Sequence, residues 1–343
     1  MNVILVQKEL RGIFVETKLF IDSYYKKERN YDKESGFTRL GRGIKGVGIG
    51  FNLLDKRTNK SFPIALKVIK IQNKDMKNIE NEIEALRDYS KEYPLSTPRY
   101  LTCFKEQETK KVFILTEQLE YKTTDFEWTW KLQNFTKTQC LEMILHMTRS
   151  LLNLNQIGYT HNDIGSHNWV TQPGFYSMPK LIDFGSATYY PTYDKRLDKI
   201  ISDKQNIQYR NRIIQDNHKL AKHFTKLKKK FMLIPKTPEK LTEFQILDKI
   251  MNDIVIGLMK SKNEKVMTLE EAVAILENLL MKLDKDSLFL PNNQYKLYEL
   301  FSKDSFLDSE RYIITFESCM GKYNKYRKRT RYQLYITCLF LLY

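Results

Sequence analysis

The chain has 343 residues, enough for one large two-lobed domain or two smaller ones. Hydrophobic residues make up 42% of it and aromatic residues 13%, which excludes a wholly disordered protein although 29% of the residues are charged. The 57 Lys and Arg residues outnumber the 41 Asp and Glu residues, for a net charge of +16. This surplus favours acidic partners such as nucleic acid, nucleotide phosphates or anionic lipid, and does not choose among them.

The cysteines and the N-terminus indicate where the protein works. The four cysteines are dispersed without a CxxC pair, so the sequence predicts neither a zinc site nor a disulfide scaffold. The first apolar run is interrupted at Lys8, before the core of a signal peptide would be complete. No apolar run reaches the roughly 18 residues that would cross a bilayer. We therefore expect a reducing, cytoplasmic location, which would be the host cytoplasm if the chain is viral or a bacterial effector.

Glycines are concentrated in one short segment. Of the 13 in the chain, five fall within ten consecutive residues: Gly41, Gly43, Gly46, Gly48 and Gly50. Such a cluster indicates a backbone that bends sharply or comes close to another group, because a Cβ atom would clash there. Apolar residues on both sides predict a strand, a glycine-rich turn and a second strand.

The remainder of the first 120 residues predicts mainly sheet, with one helix. Apolar runs at 64–69 and 112–116 have the length and the β-branched content of strands. Between them, Ile79, Ile83 and Leu86 share one face of a predicted helix. This part of the chain is therefore expected to be small and rich in strands.

Helical patterns dominate from about residue 136. Two short predicted strands, at 169–170 and 180–182, flank a loop. Thr268 and Glu271 have the spacing of a capping box. Amphipathic helices are predicted at 136–152, 216–231, 238–260 and 268–283.

The glycine-rich segment and a following lysine suggest a phosphate site. Residues 41–46 match the pattern GxGxxG, which either closes a tight hairpin or places backbone N–H groups over phosphates. Lys67 follows inside an otherwise apolar strand, where a charge is costly unless it is paired or reaches water from an edge strand. The next predicted helix offers Glu80, Glu82 and Glu84, and of these only Glu82 falls on the apolar face. Glu82 is therefore the candidate partner of Lys67.

Polar residues that suit metal and hydroxyl chemistry form a second cluster. The run His161-Asn162-Asp163-Ile164-Gly165-Ser166-His167-Asn168 is followed 15 residues later by Asp183-Phe184-Gly185, at the end of a predicted strand. Two carboxylates and one carboxamide presented by loops are hard oxygen ligands, suited to Mg²⁺ and to a hydroxyl nucleophile.

In order and spacing, these motifs resemble those of the eukaryotic-type protein kinases, whose catalytic loop reads HxDxxxxN and whose metal loop reads DFG. The resemblance covers roughly residues 35–235. It implies an α+β, two-lobed, protein-kinase-like fold with a small β-rich N-lobe and a larger α-helical C-lobe. The expected organisation is an N-terminal extension over 1–34, the N-lobe over 35–120, and the C-lobe with a basic C-terminal segment over 121–343.

The resemblance also implies a role for each matching residue. Asp163 would orient or deprotonate the acceptor hydroxyl, with a serine or threonine of a protein substrate favoured. Lys67 would hold the α- and β-phosphates of ATP and pair with Glu82, while Asn168 and Asp183 would hold Mg²⁺.

Further positions are expected to contact the nucleotide or to support the loop. Asp216 lies at what is similar to the DxWxxG helix start of the family, and would brace the catalytic loop. Thr116 would be the gatekeeper beside the adenine. The expected backbone contacts to ATP come from Gly41, Gly43, Gly46, Glu117 and Leu119.

Two departures from the family concern regulation and acceptor choice. Asn162 stands where many regulated kinases have Arg, so it offers no cation to a phosphorylated activation segment. Gly165 and His167 replace the residues that mark serine/threonine and tyrosine kinases, which leaves the acceptor type open.

Two further departures concern substrate docking and the adenine site. The APE motif is absent, and the nearest candidate, at 209–212, suggests a trimmed or rebuilt docking segment. Gly48 stands where a Val usually packs on adenine, a role that we expect Val47 to take after a one-residue adjustment.

Two other classes of protein remain open. The His-Asn-Asp sequence without a following Lys is also similar to choline kinases and aminoglycoside phosphotransferases, which act on small molecules. The intact Asp183-Phe184-Gly185 motif favours a protein kinase over these families. A pseudokinase scaffold is disfavoured because every catalytic position is retained.

Basic segments lie in the second half of the chain and at its end. Six lysines between 219 and 230 are expected to form a solvated helix face. The segment Lys322–Arg331 precedes an apolar tail, which either packs on the C-lobe as a terminal helix or, with the basic segment, attaches to an acidic partner or an anionic membrane. No specific binding of nucleic acid is predicted.

Overall fold

The computed structural model describes part of the chain, and its contacts form two compact units. Unit 1 comprises Met1–Met76, Tyr100–Gln118 and Leu300–Tyr343, and unit 2 comprises Lys77–Arg99 and Leu119–Glu299. The sequence predicts three continuous segments, 1–34, 35–120 and 121–343. These divide the chain differently from the two units, and they stay a prediction. The described residues are 15–17, 37–42, 46–55, 60–71, 76–106, 111–119, 121–122, 135–171, 175–190, 204–232, 238–259, 266–293, 314–315 and 336–338.

Unit 1 is built on an antiparallel sheet. The strands of this unit are β1 (Val15–Thr17), β2 (Phe37–Arg42), β3 (Gly46–Asp55), β4 (Lys60–Lys70), β5 (Tyr100–Glu106), β6 (Lys111–Glu117), β12 (Ile314–Thr315) and β13 (Ile336–Cys338). The sheet has the strand order β12-β3-β4-β6-β5, and β2 pairs with β3 as well. A separate pair joins β1 and β13.

The alternation of burial along β4 explains how the sheet forms the core of unit 1. Ile64, Leu66 and Val68 are buried, whereas Ala65 and Lys67 between them are partly exposed. Successive side chains of a strand point to opposite faces, so one face of β4 packs in the core and the other is only partly covered. Lys67 belongs to the partly covered face.

Unit 2 combines helices with short strand pairs. Helix α1 is Met76–Glu92, and its first residue belongs to unit 1. The other helices are α2 (Lys137–Gln156), α3 (Lys204–Met232), α4 (Pro238–Met259) and α5 (Leu269–Leu283). The strands are β7 (Tyr121–Lys122), β8 (Tyr159–Thr160), β9 (Trp169–Thr171), β10 (Lys180–Leu181) and β11 (Thr188–Tyr189).

Helix α2 is the main buried element of unit 2. Leu141, Leu145, Leu151 and Leu154 are at most 1% exposed. Arg149 on the same helix donates to the backbone carbonyl of Phe289 and to Glu277 of α5, which joins these two helices. The described residues thus contain helices and antiparallel sheets in separate regions, which is the α+β class expected from the sequence.

Capping boxes begin α2 and α5. Thr268 accepts a hydrogen bond from the backbone of Glu271, whose side chain accepts one in return, as the sequence predicts. Thr136 and Gln139 form the same motif at the start of α2. Each box satisfies backbone N–H groups that a helix start would otherwise leave without partners.

Helix α3 begins earlier than predicted. It starts at Lys204 rather than at Asp216, because apolar residues on its buried side continue the helical period back to Tyr209, which is 1% exposed. Residues 209–212, the candidate docking segment, are therefore helical, and Asp216 lies within the helix.

The C-terminal tail also differs from expectation. Residues 336–338, expected in a helix, form strand β13, in keeping with the β-branched Ile336 and Thr337. The basic segment Lys322–Arg331 lies outside the described residues. Within the described ranges, no helix is both long and apolar enough to cross a membrane.

Candidate active site

A buried carboxylate on α3 holds the loop that follows β8. Asp216 is 0% exposed and accepts the backbone N–H of His161 at 2.8 Å. It also accepts the N–H of Asn162, at 3.0 and 3.1 Å from its two oxygens. The expected bracing role thus corresponds to observed hydrogen bonds, although Asp216 lies inside the helix.

Burial dominates the electrostatics of Asp216. It raises the pKa of this carboxyl group, and the two backbone N–H groups and Lys219 offset only part of that rise. Lys219, three residues further along α3, donates its Nζ to the backbone carbonyl of Asn162. Lys219 was expected on a solvated face, but the three-residue helical spacing from Asp216 could have indicated that it reaches the same loop.

His161 connects the loop after β8 to the segment that contains Asp183. Its ring is fully buried, and burial lowers the pKa of the imidazole, so the ring is neutral at pH 7. Nε2 lies 3.1 Å from the carbonyl oxygen of Ile182, and Nδ1 lies 3.3 Å from the backbone N–H of Asp163. The neutral ring satisfies both contacts when Nε2 carries the proton. An edge contact with Phe184, with ring centroids 5.1 Å apart, completes the packing.

Asp163 and Asn168 are joined directly. The amide nitrogen of Asn168 donates to the backbone carbonyl of Asp163 at 2.8 Å and to Asp163 Oδ2 at 3.1 Å. Asn168 is buried, whereas the side chain of Asp163 is 47% exposed. The bonds fix the orientation of the amide, so its oxygen is the atom with which Asn168 could bind a cation.

Asp183 lies in a turn that a hydrogen bond ties to Asn168. The N–H of Ile182 donates to the carbonyl of Asn168 at 2.9 Å, so the two predicted metal ligands are on hydrogen-bonded neighbouring segments. Asp183 is exposed and has a φ of 64°, in the left-handed region that favours Gly, Asn and Asp. Such a conformation costs energy and occurs often at functional sites.

Two carboxylates approach Gly185 in this turn. A Cβ atom at Gly185 would lie 3.3 Å from Asp183 Oδ1 and 3.3 Å from Glu82 Oε2. Glu82 is 6% exposed, whereas Glu80 and Glu84 on the same helix are exposed, as the helical spacing predicts. Glu82 therefore shares the surroundings of Gly185 with Asp183, a proximity that the sequence did not reveal.

Asn162 connects the loop after β8 to the segment after Gly185. Its side-chain nitrogen donates to the carbonyl of Ser186 at 2.8 Å and to the hydroxyl of Thr188 at 3.0 Å, and its oxygen lies 3.3 Å from the Thr160 hydroxyl. Its φ of 64° is a conformation that Asn adopts more readily than most residues. A neutral amide thus holds this segment at the position where the kinase resemblance leads one to expect a cation.

Unit 1 contains the predicted phosphate-binding lysine. Lys67 in β4 lies opposite Gly48 of β3 and opposite Ile114 of β6. Residues directly opposite each other in an antiparallel pair share a face, so Gly48 lies on the same face as Lys67. Val47 lies opposite Val68, on the other face. The expectation that Val47 takes the place of Gly48 is therefore wrong, because successive residues of a strand alternate between faces.

The other predicted nucleotide contacts lie on both units. Gly41 and Gly46 are in the paired strands β2 and β3, and Gly43 lies outside the described residues. Glu117 ends β6 in unit 1, and the buried Leu119 begins the next stretch of unit 2. Their contacts with ATP stay a prediction, and so does the pairing of Lys67 in unit 1 with Glu82 in unit 2.

The chemistry of the donor set bears on the expected metal. Among the described residues, no group of three or more His, Cys, Asp or Glu side chains is placed to hold a metal ion. Asn168 and Asp183 would give one amide oxygen and one carboxylate. This set fits Mg²⁺ that is shared with a nucleotide, because Mg²⁺ usually keeps water and phosphate oxygens as its other ligands.

No protein-family model matches the chain, and a comparison with curated proteins finds no match either. What the chain does is therefore inferred from its own residues and contacts.

Replacing Asp216 tests its support of the loop after β8. We expect Asp216→Asn to lower the free energy of unfolding by about 1.5–3 kcal/mol, the usual value of hydrogen bonds to a charged group. The reason is that the amide keeps one acceptor oxygen and turns an NH₂ group towards a backbone N–H. Urea unfolding measures the change. The control Asp253→Asn, at an exposed position of α4, should change the value by less than about 0.5 kcal/mol. Equal stability of Asp216→Asn and the parent would contradict the assignment.

Proposed function

We propose that the chain is an ATP-dependent phosphotransferase, a protein kinase that transfers the γ-phosphate to a serine or threonine hydroxyl. The observation that carries the proposal is the joined pair of Asp163 and Asn168, tied through Ile182 to the turn of Asp183. This arrangement presents one carboxylate for a hydroxyl, and an amide oxygen with a second carboxylate for a cation. Phosphoryl transfer requires this combination of groups.

Each of these residues has a separate task in the proposed mechanism. Asp163, partly exposed beside the buried loop, orients the acceptor hydroxyl and takes its proton late in the transfer. Asn168 and Asp183 would hold Mg²⁺, which would neutralise charge on the phosphates when bound. Asp216 and the neutral His161 keep the loop in place, because both are buried and hydrogen-bonded to its backbone.

We further propose that the chain adopts a two-lobed, protein-kinase-like fold, with the N-lobe over 35–120 and the C-lobe over 121–343. In that fold Lys67 binds the α- and β-phosphates, and the glycines beside it allow the nucleotide to approach the sheet, since Gly48 has no side chain on the face of Lys67. ATP is abundant in the cytoplasm, which is the proposed place of action.

A small-molecule kinase is the second candidate. Helix α3 begins at Lys204, so only residues 186–203 separate Gly185 from the helix that carries Asp216. A short segment here leaves little chain for docking a peptide and would suit a smaller acceptor alcohol. Both candidates use the same catalytic residues and differ in the acceptor.

Replacement of Lys67 tests nucleotide binding by unit 1. Lys67→Met should abolish phosphoryl transfer and leave the fold intact, because methionine has a similar volume but no charge for the phosphates. Glu82→Gln should also impair transfer, and the matched controls Glu80→Gln and Glu84→Gln, at exposed positions of the same helix, should not. Initial rates with labelled ATP measure these effects. An unchanged rate in Lys67→Met would refute its assignment.

Phosphatase treatment tests whether the activation segment needs phosphorylation. The treated enzyme should keep its initial rate, because Asn162 holds Ser186 and Thr188 through neutral hydrogen bonds. The candidate phosphorylation sites are Tyr189, Tyr190, Thr192, Tyr193 and Ser202. A large loss of rate that rephosphorylation restores would show that another cation reads a phosphate there.

Separating binding from transfer tests the proposed function itself. Asp163→Asn should bind Mg·ATP with nearly the parent affinity in a thermal-shift titration while transferring phosphate about 10²–10⁴-fold more slowly. Asp183→Asn should lose both binding and transfer, because it removes a metal ligand. Full activity in Asp163→Asn, or no transfer by the parent to any protein or small alcohol, would exclude the proposed mechanism and favour a nucleotide-binding scaffold.

A further inference from the structure

The imidazole of His167 lies directly against the backbone of Gly165. A Cβ atom at Gly165 would come within 2.7 Å of Cε1 and 2.9 Å of Nδ1 of this ring. The φ of Gly165 is −154°, a backbone conformation that any residue adopts. A side chain at position 165 would therefore displace the ring of His167.

The same ring also approaches Asp163. His167 Nε2 lies 3.8 Å from Asp163 Oδ2, the oxygen that already accepts the amide of Asn168 at 3.1 Å. A separation of 3.8 Å is too long for a hydrogen bond, but catalytic contacts are often long without substrate and shorten in the complex. Side-chain nitrogens of Asn168 and His167 thus approach Oδ2 of Asp163. Among the described contacts of this loop, no donor bonds to Oδ1 of Asp163.

We infer that His167 is a positioning residue for Asp163. Together with Asn168, it holds Oδ2 and directs Oδ1 to the acceptor hydroxyl. This role rests on the proposed phosphotransfer. In the step itself, the hydroxyl oxygen forms a bond to the γ-phosphorus and the bond to the β,γ-bridging oxygen breaks. ADP leaves with that electron pair, and the hydroxyl proton passes to Asp163 Oδ1.

The placement of the ring explains why the loop combines a glycine with a histidine. The side chain of His167 is 60% exposed, so burial does not fix it. The absence of a Cβ atom at Gly165 instead leaves room for the ring beside the carboxylate of Asp163. We therefore expect the effect on kcat of replacing Gly165 to depend on whether His167 is present.

Three substitutions of His167 distinguish positioning from simple packing. His167→Ala should lower kcat by about 10- to 100-fold, the range expected when a reacting group is displaced by about 1 Å, without a change in the KM for ATP. His167→Gln should recover most of kcat, because its amide nitrogen can take the position of imidazole Nε2. His167→Asn should not, because its amide nitrogen matches Nδ1, which faces Gly165. Equal activity of the Gln and Asn variants would overturn the role.

A double-mutant cycle tests the contribution of Gly165. Gly165→Ala should lower kcat as much as His167→Ala, because the added methyl group displaces the ring. In the His167→Ala background the same substitution should add little, since no ring is left to displace. Additive losses would show that the two residues act separately and would overturn the inference.

A measurement without substrate separates this inference from the proposed function. The imidazole resonances of His167 in the full chain, at fixed pH, should shift when Asp163 is replaced by Asn, and unchanged resonances would overturn the contact. An active parent with full kcat in His167→Ala would overturn the positioning role alone. A parent without transfer activity would overturn the proposed function, and the role of His167 with it.

Discussion

The candidate site depends on one buried carboxylate. Asp216 accepts the backbone N–H groups of His161 and Asn162 from within α3, and Lys219 on the same helix binds the carbonyl of Asn162. Unpaired charge in a protein interior is costly, so these hydrogen bonds hold the loop and the helix together. These bonds restrict the conformation of the loop backbone, and this backbone presents the side chain of Asp163 to solvent.

Further contacts connect the loop that Asp216 holds to the segment that contains Asp183. His161 reaches the carbonyl of Ile182 and packs on Phe184, while Asn162 reaches Ser186. The left-handed conformations of Asn162 and Asp183 are maintained by these contacts. Strain of this kind persists only where the surroundings determine the backbone, and here it accompanies the placement of Asp163, Asn168 and Asp183 on neighbouring segments.

Local patterns in the sequence predicted much of this arrangement, whereas strand register and the directions of side chains within loops did not follow from them. The helical period correctly separated buried Glu82 from exposed Glu80 and Glu84, and the spacing of Thr268 and Glu271 identified a helix start. The expectation that Val47 replaces Gly48 was wrong, because the pairing of β3 with β4 places Val47 on the face opposite to Lys67, and the glycine motif alone does not determine this register. The contact of His167 with Gly165 could not be predicted, since a side-chain direction within a loop has no period that a sequence would show.

The most direct test of the central claim is to find where the phosphate goes. Purified protein is incubated with labelled ATP and a cell lysate, and mass spectrometry identifies the labelled products. The kinase mechanism predicts label on serine or threonine hydroxyls of proteins with the parent and a strong decrease with Asp163→Asn. Label confined to small alcohols would assign the chain to the small-molecule kinases. No labelled product from the parent, or equal labelling by Asp163→Asn, would contradict the role of the loop that Asp216 holds.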